Sequence, residues 1–200
     1  MTTTQTPEGR PSMNRSQPNA GFTLIELMTT VTIIGMILLV VAPRLHVSPR
    51  SEIRMAAEQV ARDLELIRTR SLATKSMVRI DFNTGGDSYV AYLDDNQDGV
   101  ITASATEIQA LRAFGQRTLD RGVTFGRGSA PMLPGDTIGT AVTFANDQIL
   151  FNNRGLPEPF GARGVIYLTH PDDNTAASAV TVSGSGSFRT WTYAPGGGWQ

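Results

Sequence analysis

Gly21-Phe22-Thr23-Leu24-Ile25-Glu26-Leu27 opens an apolar run that continues to Ala42. From Phe22 to Ala42 there are 21 residues, and Glu26 is the only charged one. As a helix rising about 1.5 Å per residue, the run would be roughly 31 Å long, close to the hydrocarbon thickness of a bilayer. An ionised carboxylate in that layer is costly, so Glu26 reads as a functional group in need of a partner. The plainer reading is a single-span anchor with a stray glutamate. Residues 1–20 are polar, with Arg10, Arg15, four threonines and three prolines. They contain no apolar core and no small-x-small cleavage site, so they are not an ordinary secretory signal. Arg10 and Arg15 lie before the run, and Arg44, Arg50 and Arg54 lie after it. The positive-inside rule therefore does not decide the orientation.

The block resembles the N-terminal signature of type IV pilin precursors and of the related pseudopilins of type II secretion. In those proteins a prepilin peptidase cuts after the glycine and methylates the new N-terminal residue, usually phenylalanine. The matching positions are Gly21, Phe22 and Glu26, and Pro43 follows the run as a proline often does in the family. The resemblance implies cleavage between Gly21 and Phe22, N-methylation of Phe22 and a role for Glu26 in assembly. It implies that residues 1–21 are an inward-facing leader. Such leaders are commonly short and basic, and Met13-Asn14-Arg15 would begin one if translation started at Met13 rather than Met1.

Beyond the leader and the run, about 158 residues remain, enough for one modest domain. Net charge is −1 and there is no cysteine, which excludes disulfides, thiolate metal sites and a cysteine nucleophile. After Pro43 the pattern turns amphipathic. Pro49 and Ser51 punctuate a helix start, with Ser51 as the expected N-cap. Ile53, Ala57, Val60, Leu64 and Ile67 recur at helical spacing, with Glu58 and Arg62 paired at i and i+4 on another face. This stripe is expected to pack on the chain's own sheet, with a partner helix in a filament as the alternative. Residues 43–76 are accordingly expected to continue the N-terminal helix of residues 22–42.

From Val78 the period becomes two. Val78, Ile80 and Phe82 alternate with Arg79 and Asp81, the mark of a strand with one buried face. Further strands are expected at 89–93, 108–114, 123–125, 142–144, 149–151, 165–168, 179–182 and 188–193. Glycine-containing turns separate them, residues 127–140 read as a loop, and 194–200 read as a glycine-rich tail. A long helix followed only by short strands implies an α+β fold, the helix packed on a mainly antiparallel sheet domain over 77–200.

Within that region, Tyr92-Leu93-Asp94 leading into Asp-Asn-x-Asp-Gly and then Glu107 is similar to the GspH/FimT type of minor pilin or pseudopilin. So is Ile149-Leu150-Phe151-Asn152-Asn153-Arg154-Gly155 followed by a strand and a closing hairpin. The resemblance implies a structural subunit with no enzymatic activity and no cofactor. It implies a single-pass protein of the bacterial inner membrane, its β domain on the periplasmic side, that later joins a pilus or pseudopilus. The implied partners are the prepilin peptidase, other pilins or pseudopilins and the inner-membrane assembly platform.

Asp94, Asn96 and Asp98, with Gly99 sixth, match the first half of an EF-hand loop and are calcium candidates. Position twelve is Ala105, and Glu107 comes two residues late. A tight acidic turn needs the same residue types, and a turn without metal is the expectation. His46 and His170 are the only histidines. His170 beside Pro171-Asp172-Asp173 is expected to be a solvated turn residue, and no catalytic motif accompanies either. DNA-binding relatives tend to carry Gly-Arg-x-Arg in the closing hairpin, whereas Gly186-Ser187-Phe188-Arg189 offers only Arg189. Residues 127–200 hold four arginines against five acidic residues, so the positive cluster that phosphate binding requires is missing there. Nucleic acid is therefore not an expected partner, and a DNA-binding pilin for uptake is the alternative function.

Overall fold

The computed structural model describes residues 22–41, 48–102, 114–120 and 122–200. They belong to two compact units that divide between His46 and Val47. In the first unit, α1 (Leu24–Val41) is an 18-residue helix with apolar side chains around its whole circumference. Its length is about 27 Å, and among the described residues no helix is long and apolar enough to cross a membrane.

In the second unit, α2 (Pro49–Thr74) opens at Ser48, not at the expected Ser51. Ser48 has an extended backbone, and its Oγ accepts the Ser51 N–H at 3.4 Å. Proline lacks the N–H that a first helical residue cannot use, so Pro49 fits the first position and the cap falls one residue earlier. Lys75, left-handed at φ 54°, ends the helix. Residues 42–47, on which continuity between the two helices depends, lie outside the described residues.

Ten strands form two five-stranded antiparallel sheets among the described residues. The first has the order β3-β2-β1-β5-β6, from β1 (Val78–Asn83), β2 (Ser88–Leu93), β3 (Gln116–Thr118), β5 (Gln148–Phe151) and β6 (Pro157–Glu158). The second has the order β10-β9-β8-β7-β4, from β4 (Thr124–Phe125), β7 (Gly164–His170), β8 (Asp173–Val182), β9 (Phe188–Ala194) and β10 (Gly198–Trp199). The fold is α+β, as the change of period from 3.6 to two requires.

Several strands depart from expectation. On the side away from β1, β2 pairs with β3, with Tyr89 opposite Arg117, whereas 108–113 lie outside the described residues. Val142 makes only an isolated bridge to Ile166, built from the Thr143 N–H to the Val165 carbonyl and the Tyr167 N–H to the Ala141 carbonyl. β8 begins at Asp173, six residues early, where Asp173 pairs with His170 across a register shift from the Thr169–Ala177 pair, a backbone feature that no apolar alternation reveals. Residues 194–200 are not a free tail. Gly196 and Gly198 take positive φ, and Trp199 returns opposite Tyr193 as β10.

α2 lies mainly against β7, β8 and β9 and also reaches β1. Ile53, Ala57, Val60, Leu64 and Ile67 are all buried, together with Ala56, Asp63 and Ser71. One core joins this stripe to Val78, Ile80 and Phe82 of the first sheet and to Ile166, Leu168 and Val180 of the second. Asp63 is charged yet buried, and the Tyr89 hydroxyl donates to its Oδ2 at 2.6 Å. Burial, and then that bond, raise the Tyr89 hydroxyl well above the ordinary tyrosine range.

The second sheet is covered on its other face as well. Leu133, Val165, Tyr167 and Ala179 form a smaller core with Trp191 and Trp199, which explains the unbroken apolar run of β7. The Tyr167 hydroxyl accepts the Leu133 N–H at 2.9 Å and donates to Asp136 Oδ2 at 2.7 Å, pinning the 127–140 loop. Trp199 Nε1 donates to the Pro131 carbonyl at 3.0 Å and closes the loop's other side. Burial and the Asp136 bond push the Tyr167 hydroxyl up to about 12. At Asp136 burial acts upward, but the bonds from Tyr167 and three backbone N–H groups outweigh it and hold the carboxyl low.

Leu64→Ala should destabilise the second unit by about 2–5 kcal/mol, whereas Leu66→Ala, on the exposed face, should change stability by less than about 0.5 kcal/mol. Urea unfolding of the two variants checks this. Tyr167 holds its proton more tightly when folded, so its contribution is full below pH ~10 and is lost as pH rises towards 12. Tyr167→Phe should cost about 1–3 kcal/mol at pH 8 and show a smaller further loss between pH 10 and 12 than the parent chain. Urea midpoints across that range measure it.

Candidate functional site

The first turn of α1 carries the residues on which processing and assembly would depend. Gly21 lies outside the described residues. Phe22 is 84% exposed, and Thr23 immediately precedes the helix. Thr23 is the cap: its Oγ1 accepts the Glu26 N–H at 3.2 Å and its carbonyl accepts the Leu27 N–H at 3.1 Å. The Thr23-Leu24-Ile25-Glu26 spacing is a capping box, a signal present in the sequence that our reading of Glu26 as a purely functional charge passed over. It gives Glu26 a local reason to exist, since a carboxylate in the first turn complements the helix dipole. It also explains why the helix starts two residues later than the apolar run.

The remaining polar groups of α1 are closed off by the helix itself. Thr29, Thr30 and Thr32 donate their hydroxyls to the carbonyls of Glu26, Leu27 and Met28 at 3.0, 2.9 and 2.7 Å. Every described side chain from Phe22 to Val40 is exposed. Glu26 is therefore the one ionisable group on an apolar rod that no other described residue of its unit covers. Phe22 and Glu26 share a helix end at i and i+4, but in the uncut chain the Phe22 nitrogen is an uncharged amide.

The other expected positions lie in the second unit. Asp94, Asn96 and Asp98 sit in the turn after β2, with Asp94 buried and Asn96 and Asp98 exposed. Asn96 Nδ2 donates to Asp98 Oδ2 at 2.8 Å. Glu107 lies outside the described residues, as does His46. His170 is buried, contrary to expectation. Its Nδ1 accepts the Asp172 N–H at 3.1 Å, so the ring proton belongs on Nε2, which faces Glu52 Oε2 at 3.3 Å. The helix start brings Glu52 there, and Gly122 leaves room for the ring, a distant approach that the turn sequence around His170 does not encode. Arg189 on β9 is exposed, with its guanidinium 5.4 Å from the Trp191 ring centroid.

The family described as Type II transport protein GspH matches residues 56–186, more than half of the chain. The chain belongs to the GspH family. Residues 17–42 separately match the prokaryotic N-terminal methylation motif, which spans Gly21, Phe22 and Glu26. Among solved structures, the chain is similar to the minor pseudopilin EpsH of the Vibrio cholerae type 2 secretion system, at 14% identity and a TM-score of 0.48. That match covers 72% of this chain and 98% of the other. It is also similar to the type IV minor pilin FimU of Pseudomonas aeruginosa, at 14% identity and a TM-score of 0.46, covering 70% and 88%. No curated protein matches the chain significantly. Membership of the family rests on the GspH match, not on these distant structural likenesses.

Proposed function

We propose that this GspH-family chain is a minor pilin or pseudopilin, made as a membrane-held precursor, cut after Gly21, methylated at Phe22 and then assembled into a filament. The observation that carries this reading is α1, an exposed apolar helix with one carboxylate in its first turn, directly behind a methylation motif. Exposed apolar surface on this scale needs either lipid or protein against it. A subunit that moves from membrane to filament gives it each in turn. The family description, Type II transport protein, favours a secretion pseudopilus, with a type IV pilus as the other host. The partners are the prepilin peptidase, other pilins or pseudopilins and the inner-membrane platform, and the second unit faces the periplasm.

Glu26 then has a docking role. Cleavage converts the Phe22 nitrogen into a cationic amine, and the amine of one subunit can meet Glu26 of its neighbour. In a low-dielectric layer a paired charge is far cheaper than either charge alone. The DNA-uptake reading is not adopted, since the distal half carries no excess of basic residues and Arg189 stands over Trp191.

Mass spectrometry of membranes from peptidase-positive cells should find a chain beginning at N-methyl-Phe22, and Gly21→Val should leave residues 1–21 attached. Finding the parent chain mainly uncut would refute the processing reading. Glu26→Leu should leave cleavage and folding intact while lowering incorporation into filaments by about tenfold, the equivalent of ~1.4 kcal/mol of lost pairing. Cross-linking to the partner pilins reads it, and parental incorporation in the variant would reduce Glu26 to a capping residue.

A further inference from the structure

The turn after β2 holds a buried carboxylate that its surroundings satisfy only on one side. Asp94 is 2% exposed. Its Oδ2 accepts the Gly99 N–H at 2.9 Å, while Oδ1 is buried without a hydrogen-bond partner. Arg79, which reaches the end of the same turn through the Ile101 carbonyl at 2.9 Å, is already paired with Asp81 at 2.8 and 3.1 Å. An ionised oxygen buried without donor or cation is costly, and such groups in folded proteins call for an explanation.

We propose that the Asp94–Val100 turn binds a calcium ion, with Asp94 Oδ1 as its buried ligand and the side-chain oxygens of Asn96 and Asp98 completing the protein's share. The bond from Gly99 ties the Asp94 carboxylate to the far end of the turn and fixes its orientation. Gln97 at φ 57° and Gly99 at φ 79° turn the chain back on itself, and Asn96 and Asp98 lie side by side in the same turn. Asn96 Oδ1 accepts the Asp98 N–H at 3.4 Å and Asp98 Oδ1 accepts the Val100 N–H at 2.8 Å, and each of these oxygens keeps a second lone pair for an ion. Two carboxylates balance a divalent charge, and an all-oxygen set suits a hard cation. Calcium tolerates the irregular geometry of such a turn, whereas magnesium demands a near-ideal octahedron. Among the described residues no three acidic or histidine side chains are placed to hold a metal, so the site belongs to the weak class, with a Kd on the order of 0.1–1 mM.

The test uses the full chain purified in detergent and stripped with a chelator. Isothermal titration should show one saturable calcium site per chain. The melting temperature should rise by about 3–6 °C at about 5 mM calcium, and by less than half of that in magnesium at equal ionic strength. Asp98→Asn, at an exposed position, should fold normally and lose both effects. Asp94→Asn keeps an acceptor for Gly99 and should also lose them. Absence of saturable binding would overturn the proposal, as would an equal rise in magnesium or an unchanged rise in Asp98→Asn. The readout needs no filament, so failure here leaves the subunit reading untouched.

Discussion

The second unit depends on one stripe of α2 being covered from two directions. Ile53, Val60, Leu64 and Ile67 project into a space that the inner faces of both sheets share. A helix with such a stripe has little reason to be stable alone, and two sheets have little reason to approach each other without it. Asp63 sits within that stripe, and its cost is met by Tyr89 from the first sheet, with the Arg117 guanidinium 4.0 Å away. The polar pair fixes which way the helix faces, since a rotation would strand a carboxylate in the core.

α1 presents the opposite situation. Its threonines bond back onto its own carbonyls, and its apolar side chains have no counterpart among the described residues of its unit. The physical demand of such a helix is for an environment, and the family membership says which environments are on offer. A single charged group then stands out against a uniform background. Glu26 both completes the helix start and marks one end of the rod.

Much of this was legible in the sequence because it is local or periodic. The α2 stripe, the alternation at Val78-Arg79-Ile80-Asp81-Phe82 and the glycine turns all report burial through spacing, and the structure places those residues as their spacing demands. The misses share a cause. His170 is buried by Glu52 and Gly122, both more than forty residues away in the chain, so its neighbours in sequence give no warning. β10 and the early part of β8 are held by backbone bonds beneath glycine and polar side chains, where no alternation exists to be read. The shift of the helix cap to Ser48 was readable, since Pro49 belongs at the first helical position. The site residues divide likewise: Phe22 and Glu26 are announced by a contiguous motif, whereas the orphaned oxygen of Asp94 can be seen only in three dimensions.

Arg68 ties the far end of α2 to both sheets at once. Its Nε donates to the Gly155 carbonyl at 2.8 Å in the β5–β6 turn. Gly186, in the β8–β9 turn, packs so closely that a side chain there would strike Arg68 and Gly155. The consequence is mechanical. Tension entering the second unit along α2 meets the buried stripe that both sheets cover before it reaches the helix end, where one hydrogen bond holds the β5–β6 turn and close packing meets the β8–β9 turn. Such a force acts in shear across many contacts together, so the unit should yield all at once or not at all. A body that is drawn by its N-terminal segment is thereby protected against unravelling from the point of pull.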